Sequence, residues 1–227
     1  MSHEYRFDSG AEAERKFWDA KQWITDKDTL LKEIETNPEA LRYASDDLKA
    51  NRAMVLAAVK KNGGALRHAE SKFWKDKEVV LEAVRSSGWA LHHAHDSMQR
   101  DFDVVLAAVQ QDGSALCKAC DELKANREIV LAAVSCKNEQ SMFALEEASD
   151  ELRGDREIAL ISAKHGAEGM EHASEELRSD VSFIRECVKI DGFALRYAAE
   201  ELKSNQEIVS LAVAQNPKAI QFARREQ

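Results

Sequence analysis

Apolar positions recur along this chain in pairs of short stripes. Between Ala65 and Gly88, Leu66, Ala69 and Phe73 form one stripe at spacings of three and four, and Asp76 interrupts it. Val79, Val80, Ala83 and Val84 begin the next. A period near 3.6 predicts two short amphipathic helices. Asp76 stands where an N-cap belongs, its carboxylate able to accept from free backbone N–H groups one turn ahead. Gly88 stands where the second helix should stop, with glycine tolerating a left-handed C-terminal cap. The segment reads as a helical hairpin.

The hairpin is repeated. Aligned on Leu66, the anchors are Leu41, Leu66, Leu91, Leu116, Leu145, Met170, Leu195 and Ile220, spaced by 25 residues with a single step of 29. Three residues after each anchor stands an alanine, from Ala44 to Ala223, small enough for close helix approach. Every expected cap is Asp or Asn: Asp26, Asn51, Asp76, Asp101, Asn126, Asp155, Asp180 and Asn205. Gly63, Gly88, Gly113 and Gly192 share a turn position, which Pro38 and Pro217 fill in the first and last units. The longer step places four extra residues near Lys137–Ser141, predicting a longer first helix or a bulged loop there. Helices this short are marginal alone and must be stabilised by stacking. The expected fold is all-α, an α-solenoid of about eight 25-residue helix-turn-helix repeats over residues 26–227. The hand of the solenoid is left open.

Residues 1–25 read differently, as a leader over 1–9 and a degenerate capping half-unit over Gly10–Trp23, with Phe17 and Trp18 as its lid. Within the repeats, first helices share the wording VLAAV at Val55–Val59, Val105–Val109 and Val130–Val134, apolar nearly all round as for buried helices. Lys60, Arg85, Lys164 and Lys189 end first helices, where a cation complements the dipole.

Bulk properties narrow the setting. The chain has 227 residues, 44% hydrophobic and 32% charged. No run approaches the 18 apolar residues of a membrane span, and the N-terminus lacks a signal-peptide core. The expected location is cytoplasmic or nuclear, and the four cysteines are expected to be reduced. The net charge of −9 is concentrated, since residues 139–207 hold 17 acidic and 8 basic residues while the remainder has 24 of each. Such a balance opposes binding to nucleic acid and favours a basic partner for the C-terminal half.

Candidate chemistry is sparse. Second helices carry acidic pairs, including Glu175-Glu176, but Lys49, Lys124, Arg153, Arg178 and Lys203 follow three residues after the first member. Intrahelical ion pairs on a solvated face are the plain reading, and a contact surface for a basic partner is the sharper one. His92, His95, Cys117 and Cys120 occupy two repeat positions on adjacent units, a donor set that suits a structural zinc. Tyr43, His68, His93, His172, Tyr197 and Phe222 share another position and make an aromatic and imidazole stripe, readable as packing or as recognition. Trp74 stands where its equivalents are Lys49, Gln99, Lys124 and Arg153. Trp74, Trp89, His68 and His93 form the best candidate patch for protein binding. No phosphate-binding loop, GxSxG elbow or HExxH motif occurs, so neither catalysis nor a cofactor is expected.

The recurring wording, with its VLAAV runs, its Gly-x-Ala-Leu turns at Gly88–Leu91, Gly113–Leu116 and Gly192–Leu195, and its Leu-x-x-Asp/Asn caps at Leu123–Asn126 and Leu152–Asp155, resembles the repeats of the domain of unknown function 4116 family. The resemblance covers about Asp26 to Ala223 and implies helical repeats, with two hairpins to one family unit. It brings no catalytic residues. The unit around Met170 departs most, with Gly169 for alanine and Arg185 for leucine. The functional expectation is a non-enzymatic scaffold, adaptor or assembly subunit binding protein or peptide. A structural zinc protein is the alternative, and a reader of RNA at one base per repeat is opposed by the missing basic face.

Overall fold

A computed structural model describes residues 24–224. The expected leader and N-terminal lid, Phe17 and Trp18 included, lie outside the described residues. Eight α-helices recur in register: α1 (Lys27–Thr36), α2 (Arg52–Lys61), α3 (Lys77–Ser86), α4 (Phe102–Gln111), α5 (Arg127–Ser135), α6 (Arg156–Lys164), α7 (Val181–Ile190) and α8 (Gln206–Gln215). All eight predicted caps do that work. Asp76 accepts from the Glu78 and Val79 amides, Asn126 from Glu128 and Ile129, and the others act likewise. The fold is the expected all-α repeat solenoid. Among the described residues its only extended pairing is an isolated parallel bridge between Ile24 and Ala44.

The second half of each unit differs from the expected continuous helix. It is a 3-10 helix such as Gly63–His68, an extended alanine, then about one helical turn such as Asp121–Lys124. Ala69 sits at φ −76°, ψ 158°, and its counterparts match it. The buried set Gly63, Leu66 and Ala69 has a spacing of three, which stacks on one edge of a 3-10 helix. The spacing of four to Phe73 spans the break.

The break has a purpose in the stack. It aims the next backbone N–H at the preceding unit. Ser45 donates to Ile24 O, Glu70 to Lys49 O, His95 to Trp74 O, Cys120 to Gln99 O, Ser149 to Lys124 O, Ser174 to Arg153 O, Ala199 to Arg178 O and Arg224 to Lys203 O, all at 2.8–3.2 Å. One main-chain hydrogen bond thus ties every unit to its predecessor, satisfying groups that a helix end leaves free.

Two layers result. Long helices pack on the long helices of both neighbours, and 3-10 helices pack on 3-10 helices. Val79, Val80, Ala83, Val84 and Leu91 are fully buried between them, and burial stabilises by about 1.5–3 kcal/mol per large side chain. The turn glycines serve close approach, and the expected left-handed cap at Gly88 is absent. Among the described residues only Gly166 has positive φ. A Cβ at Gly63, Gly88, Gly113 or Gly192 would come within 2.1–2.5 Å of the carbonyl oxygen of Ala83, Ala108, Ala133 or Ala212 on the next unit's helix. The four extra residues do not lengthen the first helix, which ends at Ser135, but they do lengthen the 3-10 helix. They enter the link Cys136–Asn138 and a nine-residue 3-10 helix, Glu139–Glu147, where buried Ser141 donates to the carbonyls of Cys136 and Asn138.

Candidate functional site

Two surfaces gather the polar and aromatic side chains that the core leaves over. The first lies on the N-terminal 3-10 helices. The Glu39 carboxylate sits 2.9 Å from His68 Nε2 and 2.6 Å from an Arg67 guanidinium nitrogen. Burial works to raise the Glu39 carboxyl, but the hydrogen bonds from His68 and Arg67 override it and hold it below the usual range. Burial pushes His68 below the ordinary histidine value against the pull of Glu39, so the pair is a hydrogen bond at neutral pH. His93, on the next unit, is likewise lowered by burial, then by the charges of His92 and Arg67.

Trp89 is 47% exposed and stacks on His92 at 5.4 Å with an interplanar angle of 13°. His92 meets His93 edge-on at 5.4 Å. Trp74 is placed otherwise. Its half-buried ring packs against the core, and its indole N–H donates to Leu66 O at 3.1 Å. Gln99 repeats this at the equivalent place, its amide reaching Leu91 O and Ala94 O.

The zinc reading does not survive the geometry. His92 stacks on Trp89, and His95 Nδ1 accepts from the Ser97 amide at 3.1 Å as the cap of Asp96–Gln99. Burial pushes the Cys117 thiol up. Among the described residues no three His, Cys, Asp or Glu side chains could hold a metal ion.

The second surface is acidic. Glu175 and Glu176 are exposed at the start of the short helix Glu175–Ser179. The expected intrahelical pairs form for Arg153 with Asp150 and for Lys203 with Glu200, whereas Lys124 reaches Glu147 of the following unit at 2.7 Å. Most ion pairs run between units. Arg52 binds Asp76 and Glu78, Lys77 binds Asp101 and Asp103, Arg127 binds Asp155 and Glu157, and Arg156 binds Asp180 and Glu186. This ladder was legible in principle, since the basic residue after one cap precedes an Asp in the next cap at all four steps. Beside Glu175 an open groove of about 410 Å³ runs past Glu171, Arg178, Arg196, Tyr197 and Glu201.

The family described as Domain of unknown function (DUF4116) matches residues 26–74, 76–124, 101–153, 126–178, 155–201 and 180–226. The chain belongs to the DUF4116 family. Each matched segment spans about two structural units and begins at a helix cap, namely Asp26, Asp76, Asp101, Asn126, Asp155 or Asp180. Successive matches from residue 76 onward slide by one unit, so the physical period of the DUF4116 fold here is the single three-element unit. No match is found among curated proteins or solved structures.

Proposed function

We infer that this DUF4116 chain is a non-enzymatic scaffold that binds protein or peptide along its stacked units, as an adaptor or as part of a larger assembly in the cytoplasm or nucleus. One observation carries the reading. The repeat keeps its buried positions nearly constant, while the position after each anchor varies freely (Arg42, Arg67, His92, Cys117, Glu146, Glu171, Arg196, Gln221) and stays wholly or partly exposed. A fixed core with a variable exposed column is how solenoids build extended binding surfaces. The aromatic surface proposed for the N-terminal half is centred on Trp89, which stacks on His92, with His93 edge-on to His92. Glu175 and Glu176 belong to an acidic surface suited to a basic partner.

The test is affinity capture with the intact chain, Trp89→Ala, and the double reversal Glu175→Lys/Glu176→Lys, each first checked for native helicity. Loss of a partner with either variant supports the reading. Identical captured sets from all three proteins would count against both surfaces.

A further inference from the structure

We propose that the groove between the units anchored on Met170 and Leu195 is a peptide site, in which Arg178 takes a single carboxylate carried within an otherwise basic segment. This rests on the protein-binding reading above and adds the chemistry of the partner on the acidic half.

The repeat itself singles out Arg178. At the equivalent place Trp74 and Gln99 donate to 3-10 carbonyls, Lys124 holds Glu147, Arg153 holds Asp150 and Lys203 holds Glu200. Arg178 Nε is buried with no hydrogen-bond partner, and no ion pair among the described residues includes its guanidinium. Glu175 stands three residues before it, the place from which Asp150 and Glu200 hold their partners, yet the pair does not form. A guanidinium cannot shed its charge, and Arg178, partly exposed, lines the groove.

The groove supplies the context. Glu171, Glu175 and Glu201 line it, are exposed, and enter none of the ion pairs among the described residues. Arg196 lies over the Tyr197 and Phe222 rings at 5.5 and 6.0 Å. Arg178 is thus an unpaired cation among three unpaired carboxylates. A lone anion would be repelled by the carboxylates, and an all-basic segment would set a cation against Arg178. A basic segment with one carboxylate satisfies both, the carboxylate meeting the guanidinium through charge-assisted hydrogen bonds. About 410 Å³ accommodates a few side chains. An aspartate side chain and a free chain terminus offer the same carboxylate.

Fluorescence anisotropy at low salt on the full chain separates these cases. The probes are labelled Lys₃-Asp-Lys₃ and Lys₃-Asn-Lys₃ amides, and hexalysine as free acid and as amide. Plain attraction to an acidic surface favours the Asn and amide probes, which carry one more net positive charge. The groove predicts the reverse, with the Asp probe or the free acid bound about threefold tighter or more, and the preferred pair identifies the source of the carboxylate. Arg178→Gln, a side chain the fold already carries at Gln99, should abolish that preference without weakening the Asn probe. Preference for the Asn and amide probes, or a carboxylate preference that survives Arg178→Gln, overturns the groove. Were Asn-probe binding then lost in Glu175→Lys/Glu176→Lys, the basic-partner reading would stand without it. No binding by any probe removes both.

Discussion

The amide of Ser149 donates to the carbonyl of Lys124 at 3.0 Å across 25 residues, where every equivalent pair in the stack spans 21. The inter-unit bond is therefore kept while the chain between its ends grows. Stacking sets the geometry of each unit, and loop length is absorbed where the core does not notice it.

In the longer unit Met142 stands where four other units have glycine. Deleting 137–140 restores a 25-residue unit but brings a methionine Cβ into the place where glycine approaches the next helix's carbonyl. The deletion alone is expected to destabilise by about 2 kcal/mol or more, as overpacking does. Adding Met142→Gly should recover most of that loss. Chemical denaturation of the two proteins checks the order.

Neighbouring glycines should respond oppositely. A Cβ at Gly88 would meet Ala108 O at 2.5 Å and Asp112 Cβ at 2.8 Å, neither free to move. Gly88→Ala should cost about 1–3 kcal/mol. At Gly64 the nearest atom is Asn62 Oδ1 at 3.1 Å, on a side chain that can shift, and Ser114 already fills the equivalent place. Gly64→Ala should be neutral, or stabilising by up to about 1 kcal/mol through the unfolded state. Equal losses at both sites in thermal melts would refute the close-approach account.

Much of this fold was legible because its period is written eight times. Caps, anchors and the buried valine and alanine stripe of the VLAAV helices follow from residue type and spacing. Burial on all sides does not, since Leu56, Ala57, Leu106, Ala107, Leu131 and Ala132 stay partly exposed. The 3-10 helices were not legible, because spacings of three and four serve an α-helix equally well, and a main-chain hydrogen bond to the preceding unit leaves no trace in side-chain pattern. The glycine position was visible, but its cause was a carbonyl 20 residues downstream. Among site residues, Trp89 was found as an aromatic on the surface. Trp74 was read as surface because its siblings are charged, yet those siblings are amphipathic side chains lying along the same packed site. Arg178 looked ordinary, since only the geometry reveals that it alone lacks its partner.

That shared site makes a prediction for Trp74. Trp74→Ala removes both the packed ring and the donor to Leu66 O, and should cost about 1–3 kcal/mol. Trp74→Gln keeps a donor of the kind Gln99 supplies, and should recover part of that loss. If the two variants melt together, the hydrogen bond contributes nothing and packing accounts for the whole effect.

The ladder of cap carboxylates predicts the acid limit of the fold. Asp76 is held below the usual aspartate range, first by the Arg52 hydrogen bond. Burial works to raise Asp101 and Asp155, but in Asp101 the Lys77 bond, and in Asp155 the Ile158 amide and Arg127, pull further down. Asp180 is lowered by Ser182 and the Phe183 amide. Because these pKa values are depressed in the folded state, their stabilisation is fully present above the unfolded value near 4. It is lost as pH falls through the folded values. The carboxylate contribution to the denaturation midpoint should therefore be flat from neutrality to about pH 5 and fall below about pH 4. It adds to an earlier decline below the ordinary histidine value, where His68 and His93, held low by burial, resist protonation in the folded state. Asp76→Asn keeps a cap of the kind Asn51 and Asn126 provide and removes only the exposed ion pair, for a loss of at most about 1 kcal/mol at pH 7. Asp76→Ala also strips the cap and should cost about 1 kcal/mol more. At pH 2, where the carboxylate is protonated in the parent as well, the gap between Asp76→Asn and the parent should close. A gap that persists unchanged at pH 2 would mean that Asp76 acts through packing and not through its charge.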